Sequence, residues 1–284
     1  MCLIAFAIGS HPECPLLVAS NRDEFFERPT APLHPWTTPC GNATVWAGRD
    51  LRDGGTWLGF ADNGRVAMLT NVRSARNATG QRSRGELPIR WLAGRLSLEQ
   101  LTGQIEPSSY GGFNLVVGDI RSGQWAWFSN RPPEAPHGET ASARLHCRAL
   151  TPGVYGLSNA ALDTPWPKTL RLKRALQRAL TGPDGEEAAL ARLTTALADA
   201  THALPNEQPD TGVPADMERG LSSPFVDMPE RGYGTRSSLV ARVRPFTGSS
   251  PQLLLSEWTH PAPTGALRHR WTAHPPRTQQ ISWG

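Results

Sequence analysis

The order of apolar patterns along this chain predicts an α+β fold built from two antiparallel sheets with pairs of helices outside them. Three observations carry that expectation. Strand-like segments come in adjacent couples around tight turns, and two pairs of helical segments separate the couples. The chain also lacks the βαβα alternation of a parallel nucleotide-binding sheet. Neither a G-x-G-x-x-G after the first strand nor a Walker loop is present.

The elements follow in order. Residues 2–8 and 15–20 read as short strands around a turn at Gly9-Ser10-His11-Pro12. Residues 56–61 and 65–71 pair around Asp62-Asn63-Gly64, a good tight-turn sequence. Residues 85–96 and 97–105 read as helices, with Ser97 as a cap for the second. Strands return at 113–119 and 124–129, with Ser122-Gly123 at their turn, and again at 144–149 and 153–158. Helical patterns cover 165–180 and 186–200, the latter opening on acidic residues as a helix dipole prefers. Residues 203–234 form a Pro/Gly-rich loop region, and strands at 237–243, 252–258 and 267–272 close the chain. No repeat and no long linker divides the sequence, so residues 1–284 read as one domain, long enough to bury a sizeable core.

Composition narrows the function classes. The net charge is +4, but the basic residues are scattered singly and only Lys168 and Lys173 are lysines. No basic stripe or interleaved aromatic platform suggests nucleic acid. The four cysteines (Cys2, Cys14, Cys40, Cys147) form no C-x-x-C pair and no zinc spacing, so no metal site is expected. The apolar stretch after Met1 ends at Gly9, too short for a signal-peptide core or a bilayer span. The expectation is a reduced, cytoplasmic protein without membrane insertion; the Asn-Ala-Thr triplets at Asn42 and Asn77 then mean nothing for glycosylation.

Cys2 is the most informative residue. Methionine before a small residue is commonly trimmed, and the mature chain then begins with cysteine. The thiol of such a residue is a nucleophile, and its own α-amine, with a reference pKa of about 7.7–8.0, can serve as the base. Position alone leaves a second reading open, a small buried cysteine in a first strand. The run Asn21-Arg22-Asp23-Glu24 closes the second strand with residues poorly suited to a core and well suited to the rim of a site beside Cys2. An Asp there can hold a protonated amine, and an Arg can stabilise a thiolate or a substrate carboxylate. A solvated turn with one salt bridge is the plainer reading of the tetrad by itself.

Met1-Cys2-Leu3-Ile4 followed by Asn21-Arg22-Asp23-Glu24-Phe25 resembles the NRDE family, also called the transport and Golgi organisation family. Further segments similar to that family follow in register: Gly54-Gly55-Thr56-Trp57-Leu58-Gly59, Leu69-Thr70-Asn71, Arg84-Gly85-Glu86-Leu87 and Gly112-Phe113-Asn114-Leu115. Gly156-Leu157-Ser158-Asn159, Thr164-Pro165-Trp166-Pro167-Lys168 and Gly232-Tyr233-Gly234-Thr235-Arg236 complete the set. The resemblance implies an N-terminal-nucleophile hydrolase fold, a four-layer αββα sandwich, with cysteine-type bile-salt hydrolases and penicillin V acylases as chemical analogues.

Carried over, the resemblance makes Cys2 the nucleophile, Asp23 the carboxylate that orients the amine, Asn71 and Asn159 the two site asparagines, and Arg236 the late arginine. The early arginine of those enzymes falls on Ser20. Arg22 lies two residues on and takes its place only if the strand keeps its pleat there, because positions two apart share a face. Asn21, Arg22 and Trp57 are the candidate substrate-binding residues; Trp57, Phe113 and Trp166 could wall an apolar acyl pocket, although aromatics in such patterns are usually core. The implied activity is amide hydrolysis or acyl transfer on a small acyl or amide substrate, with no cofactor required. A second reading is a non-catalytic binding and trafficking protein for haem or for lipid and acyl-CoA. For haem as ligand, eight histidines (His11, His34, His137, His146, His202, His260, His269 and His274) offer axial ligands, though none sits in a haem motif. A third reading, a scaffold in secretory organisation, has no coiled-coil heptads or anchors to support it.

Overall fold

The computed structural model describes residues 2–39, 43–75, 80–134, 144–182, 185–245, 251–264, 271 and 275–283. Two seven-stranded antiparallel sheets and a small set of helices make up an α+β fold. By contacts the chain divides into two compact units. The first comprises Met1–Glu27, Pro152–Ser158 and Asp163–Ser282, and the second Arg28–Thr151, Asn159–Leu162 and Trp283–Gly284.

In chain order the strands and helices are β1 (Cys2–Ile8), β2 (Leu16–Phe25), β3 (Thr30–Thr37), β4 (Thr44–Asp50), β5 (Leu58–Ala61), β6 (Arg65–Asn71), α1 (Glu86–Leu92) and α2 (Leu98–Gly103). Then come β7 (Phe113–Asp119), β8 (Gln124–Ser129), β9 (His146–Ala149), β10 (Gly153–Leu157), α3 (Pro167–Thr181) and α4 (Gly185–Leu197). The last are α5 (Ala215–Gly220), β11 (Asp227–Met228), β12 (Tyr233–Arg244), β13 (Gln252–Thr259) and β14 (Arg277–Ser282).

The first unit holds the sheet ordered β10-β1-β2-β12-β13-β14, with β11 paired to β12. The unbroken apolar run of β1 buries both faces, as such a run should. Leu3, Ala5 and Ala7 alternate onto the helix side, beside Leu17, Ala19 and Val240. There they meet Leu172 and Leu176 of α3 and Ala189, Leu193 and Leu197 of α4, which recur at helical spacing along one stripe. Ile4, Phe6 and Ile8, on the opposite face, are equally buried.

The second unit is a meander, β3-β4-β5-β6-β7-β8-β9. Leu87, Trp91 and Leu92 of α1 and Leu101 of α2 cover Ala67, Leu69, Leu115, Val117 and Phe128 of its sheet. Ser97 caps α2, its hydroxyl accepting the Gln100 N–H while the Gln100 side chain returns to the Ser97 N–H. The glycines around Trp57 also have a reason. A Cβ on Gly55 would lie 2.5 Å from the Gly85 backbone, and the Thr56 N–H donates to the Gly85 carbonyl. Each unit is thus a helix layer on an antiparallel sheet, the half-motif of the expected sandwich.

Four expectations need correction. The polar tetrad does not close β2 but lies inside it, because β1 and β12 flank the strand on both sides as far as Arg22 and Phe25, respectively. Strands β3 and β4 were not foreseen, since Pro32 and Pro35 break the strand signal; β3 tolerates them as an edge strand. The loop expected at 203–234 contains α5 and β11. The closing strand is β14; of the expected 267–272 strand only Trp271 is described, outside any strand.

Candidate functional site

The register of the first sheet builds one cluster. Cys2 is the direct antiparallel partner of Arg22, so their side chains share a face of the sheet. β2 holds its pleat through Phe25, which places Ser20 and Arg22 on the same face as the thiol. Asp23, one residue on, faces the other side. All three residues are buried: Cys2 is 6% exposed, Arg22 4% and, on the opposite face, Asp23 0%. Arg22 forms an ion pair with Glu24 at 3.7 Å.

A bulge in β12 adds the late arginine. Thr235 pairs with Asp23 and Ser237 with Arg22, which leaves Arg236 as the extra residue on its strand. Its guanidinium donates through Nη1 to the carbonyls of Phe25 and Phe26, each at 2.8 Å, and its own carbonyl accepts the His260 N–H at 2.8 Å. On the Asp23 side, the Thr235 hydroxyl donates to Oδ1 at 2.8 Å and the Tyr233 hydroxyl donates to the Asp23 carbonyl at 3.0 Å. The Ser158 hydroxyl donates to the Cys2 carbonyl at 3.3 Å.

The electrostatics of the cluster are mixed. Burial pushes the Cys2 thiol above its ordinary value; the N-terminal ammonium and, to a smaller degree, Arg22 work against that, while Asp23 and Glu24 add to it. Burial lowers the basicity of Arg236, Arg22 lowers it further, and Glu24 offsets part of the change. A thiol shifted in this direction holds its proton more tightly, and attack requires a base to take it.

Asn21 stands apart from the thiol. It faces the helix side, where Nδ2 donates to the carbonyls of Leu197 and Pro224, both at 2.9 Å, and Oδ1 accepts from the Ser238 hydroxyl at 2.5 Å. Ser238 also meets Nε2 of the fully buried His260 at 3.0 Å, and the His260 ring packs against Phe225 and Trp271. This Asn–Ser–His network was missed by sequence reasoning; nothing in the spacing of 21, 238 and 260 signals it before the register is known.

The two asparagines meet in the second unit. Nδ2 of Asn159 donates to the backbone and side-chain oxygens of Asn71 at 3.0 and 3.1 Å, and the Asn159 carbonyl accepts the Arg73 N–H. Trp57 also belongs to this unit and is half-buried. Its ring lies over Gly48, where a Cβ would come within 2.4 Å of it. Of the other histidines, His11 accepts the Glu13 N–H in its turn, His34 meets the Pro32 carbonyl within β3, and His137, His269 and His274 lie outside the described residues. Among the described residues no three His, Cys, Asp or Glu side chains cluster as metal ligands, and no helix is long and apolar enough to cross a membrane.

Comparison with known proteins places the chain. Residues 1–246 match the family model Transport and Golgi organisation 2. The bovine Transport and Golgi organization protein 2 homolog is 33% identical over 264 residues, covering 86% of this chain and 88% of that protein. The human homolog is 31% identical over 263 residues with the same coverage. A solved conjugated bile acid hydrolase from Clostridium perfringens, in a C2A mutant form, aligns over 99% of this chain and 97% of that one. It does so at 9% identity and a TM-score of 0.47, a likeness too loose to carry an inference. On the family match and the coverage of its relatives, the chain belongs to the Transport and Golgi organisation 2 family.

Proposed function

We propose that this chain is an N-terminal-cysteine amidase or acyl-transfer enzyme acting on a small acyl or amide substrate. The observation that carries the reading is the direct pairing of Cys2 with Arg22 beside Asp23, at the first described residue of the first strand. Removal of Met1 turns the Cys2 backbone nitrogen into an α-amine on the same residue as the thiol. That amine takes the thiol proton, and the thiolate attacks the substrate carbonyl carbon. The resulting ammonium returns the proton to the leaving nitrogen as the C–N bond breaks, leaving a thioester on Cys2. Water, giving its proton to the same amine, then releases the acid and regenerates the thiol.

Burial makes the thiol hold its proton more tightly, so transfer to the amine depends on a carboxylate that stabilises the ammonium. Asp23, fixed by Thr235, is the proposed anchor for the ammonium, and Arg22 the contact for an anionic substrate group. Arg236 acts from the bulge as a positioning residue that clamps the end of β2.

The test is turnover of a panel of chromogenic acyl amides by the native chain, by Cys2→Ala, and by a chain whose amine is blocked with an uncleaved N-terminal extension. Turnover by the native chain alone is the expected result, with losses of at least about a thousandfold in both altered forms. Equal turnover by the blocked chain would overturn the α-amine mechanism, and equal turnover by Cys2→Ala would overturn the nucleophile.

A further inference from the structure

The second unit contains a buried cation that the amidase reading does not use. Arg131 follows β8 and is 3% exposed. Its backbone is held from both sides. The Arg131 N–H donates to the Ser129 hydroxyl, which donates in turn to the Phe113 carbonyl. The neighbouring Asn130, fully buried, accepts the Phe113 N–H and donates to the carbonyls of Pro107 and Tyr110. These bonds fix where the arginine starts and leave its guanidinium against Gly112, where a Cβ would lie 3.3 Å from Nε and 3.4 Å from Cζ.

The guanidinium is under-satisfied. Nη1 reaches only the Asn130 carbonyl, at 3.3 Å, and the buried Nε has no hydrogen-bond partner. Burial lowers its basicity, and no acidic neighbour contributes an opposing effect. A second guanidinium comes to the same glycine, Arg84 donating through Nη1 to the Gly112 carbonyl at 2.9 Å. A buried, permanently charged group without a counter-charge is unfavourable for folding, and a planar fork of donors matches an oxyanion in two-point contact. Glycine at 112 is what allows the fork to lie this close to the backbone of β7.

We propose that Arg131, with Arg84 beside it at Gly112, forms a binding site for the carboxylate or phosphate group of a small molecule. The ligand supplies the charge that the protein withholds. The site stands on second-unit residues alone and does not depend on Cys2 chemistry.

The experiment is calorimetric titration and thermal unfolding of the full chain with inorganic phosphate and, separately, with acetate, in chloride buffer of matched ionic strength. Variants are Arg131→Lys, which keeps the charge and loses the fork, and Arg131→Met, which keeps the volume and loses the charge. At least one anion is expected to bind the native chain, roughly tenfold or more weaker in Arg131→Met and to an intermediate degree in Arg131→Lys. Binding of phosphate alone identifies a phosphate-bearing ligand, and binding of acetate alone a carboxylate. In chloride buffer Arg131→Met is expected to melt no lower than the native chain. The proposal fails if neither anion binds or if Arg131→Met binds them as tightly. It also fails if Arg131→Met melts well below the native chain, which would mark a structural partner for the charge.

Discussion

The thiol end of the first sheet and the Gly112 end of the second both bury arginine, but they treat the charge in opposite ways. Around Cys2, Arg22 has Glu24 as its ion-pair partner and Asp23 beside it, and Arg236 is held by two carbonyls and coupled to Glu24. Around Gly112, Arg131 has a single long bond to a carbonyl and no carboxylate among the described residues. Glu24 offsets the charge of the first pair of arginines from within the chain. An open cation calls for a charge from outside. The difference lies in whether the chain itself supplies the opposing charge.

The largest expected effect belongs to the buried hydrogen-bond network on the helix face of the first sheet, opposite the thiol. Asn21→Ala removes two donors to buried carbonyls and the acceptor for Ser238, and should cost about 3 kcal/mol in urea unfolding. A loss below about 1 kcal/mol would mean that the network tolerates open partners. Next in size is the effect of Glu24 on the thiol. Its negative charge raises the Cys2 value, so Glu24→Gln lowers it and speeds alkylation at fixed neutral pH, by less than about tenfold. Slower alkylation would show that Glu24 acts through Arg22 instead.

A third effect belongs to Tyr110, whose hydroxyl donates to Glu86 at 2.5 Å in the second unit. Burial first, and the Glu86 bond second, push its phenol up to about 12 from an ordinary 10. The fold therefore favours the neutral phenol. That stabilisation is fully present below pH 10 and is lost as pH rises through 12. Unfolding midpoints of the native chain should fall across that window, while those of Tyr110→Phe stay flatter. Parallel curves would remove the account of this bond.

Much of the fold was legible because its patterns are local. The alternation in 65–71, 113–119 and 124–129 coincides with β6, β7 and β8, and Ser97 caps α2 as its sequence suggests. What could not be read depends on partners distant in sequence. Nothing local says that Asn21-Arg22-Asp23 lies inside a strand, since its satisfaction comes from Ser238 and Thr235, more than two hundred residues away. The same holds for the site. Cys2, Arg22, Asp23 and Arg236 gather in one sheet and Asn71 bonds Asn159, whereas Asn21 turns to the helices and Arg131 carried no motif at all.

The central claim is that Cys2 becomes an activated N-terminal nucleophile, and an iodoacetamide pulse read by peptide mass spectrometry tests it most directly. The free cysteines supply internal references. Cys147 is exposed and reports an accessible, unactivated thiol, while Cys14 is buried and pushed up to about 11. The account expects Met1 to be absent and Cys2 to be alkylated ahead of Cys147 despite its burial, with Cys14 far behind both. An intact Met1, or a Cys2 that labels no faster than Cys14, would contradict it.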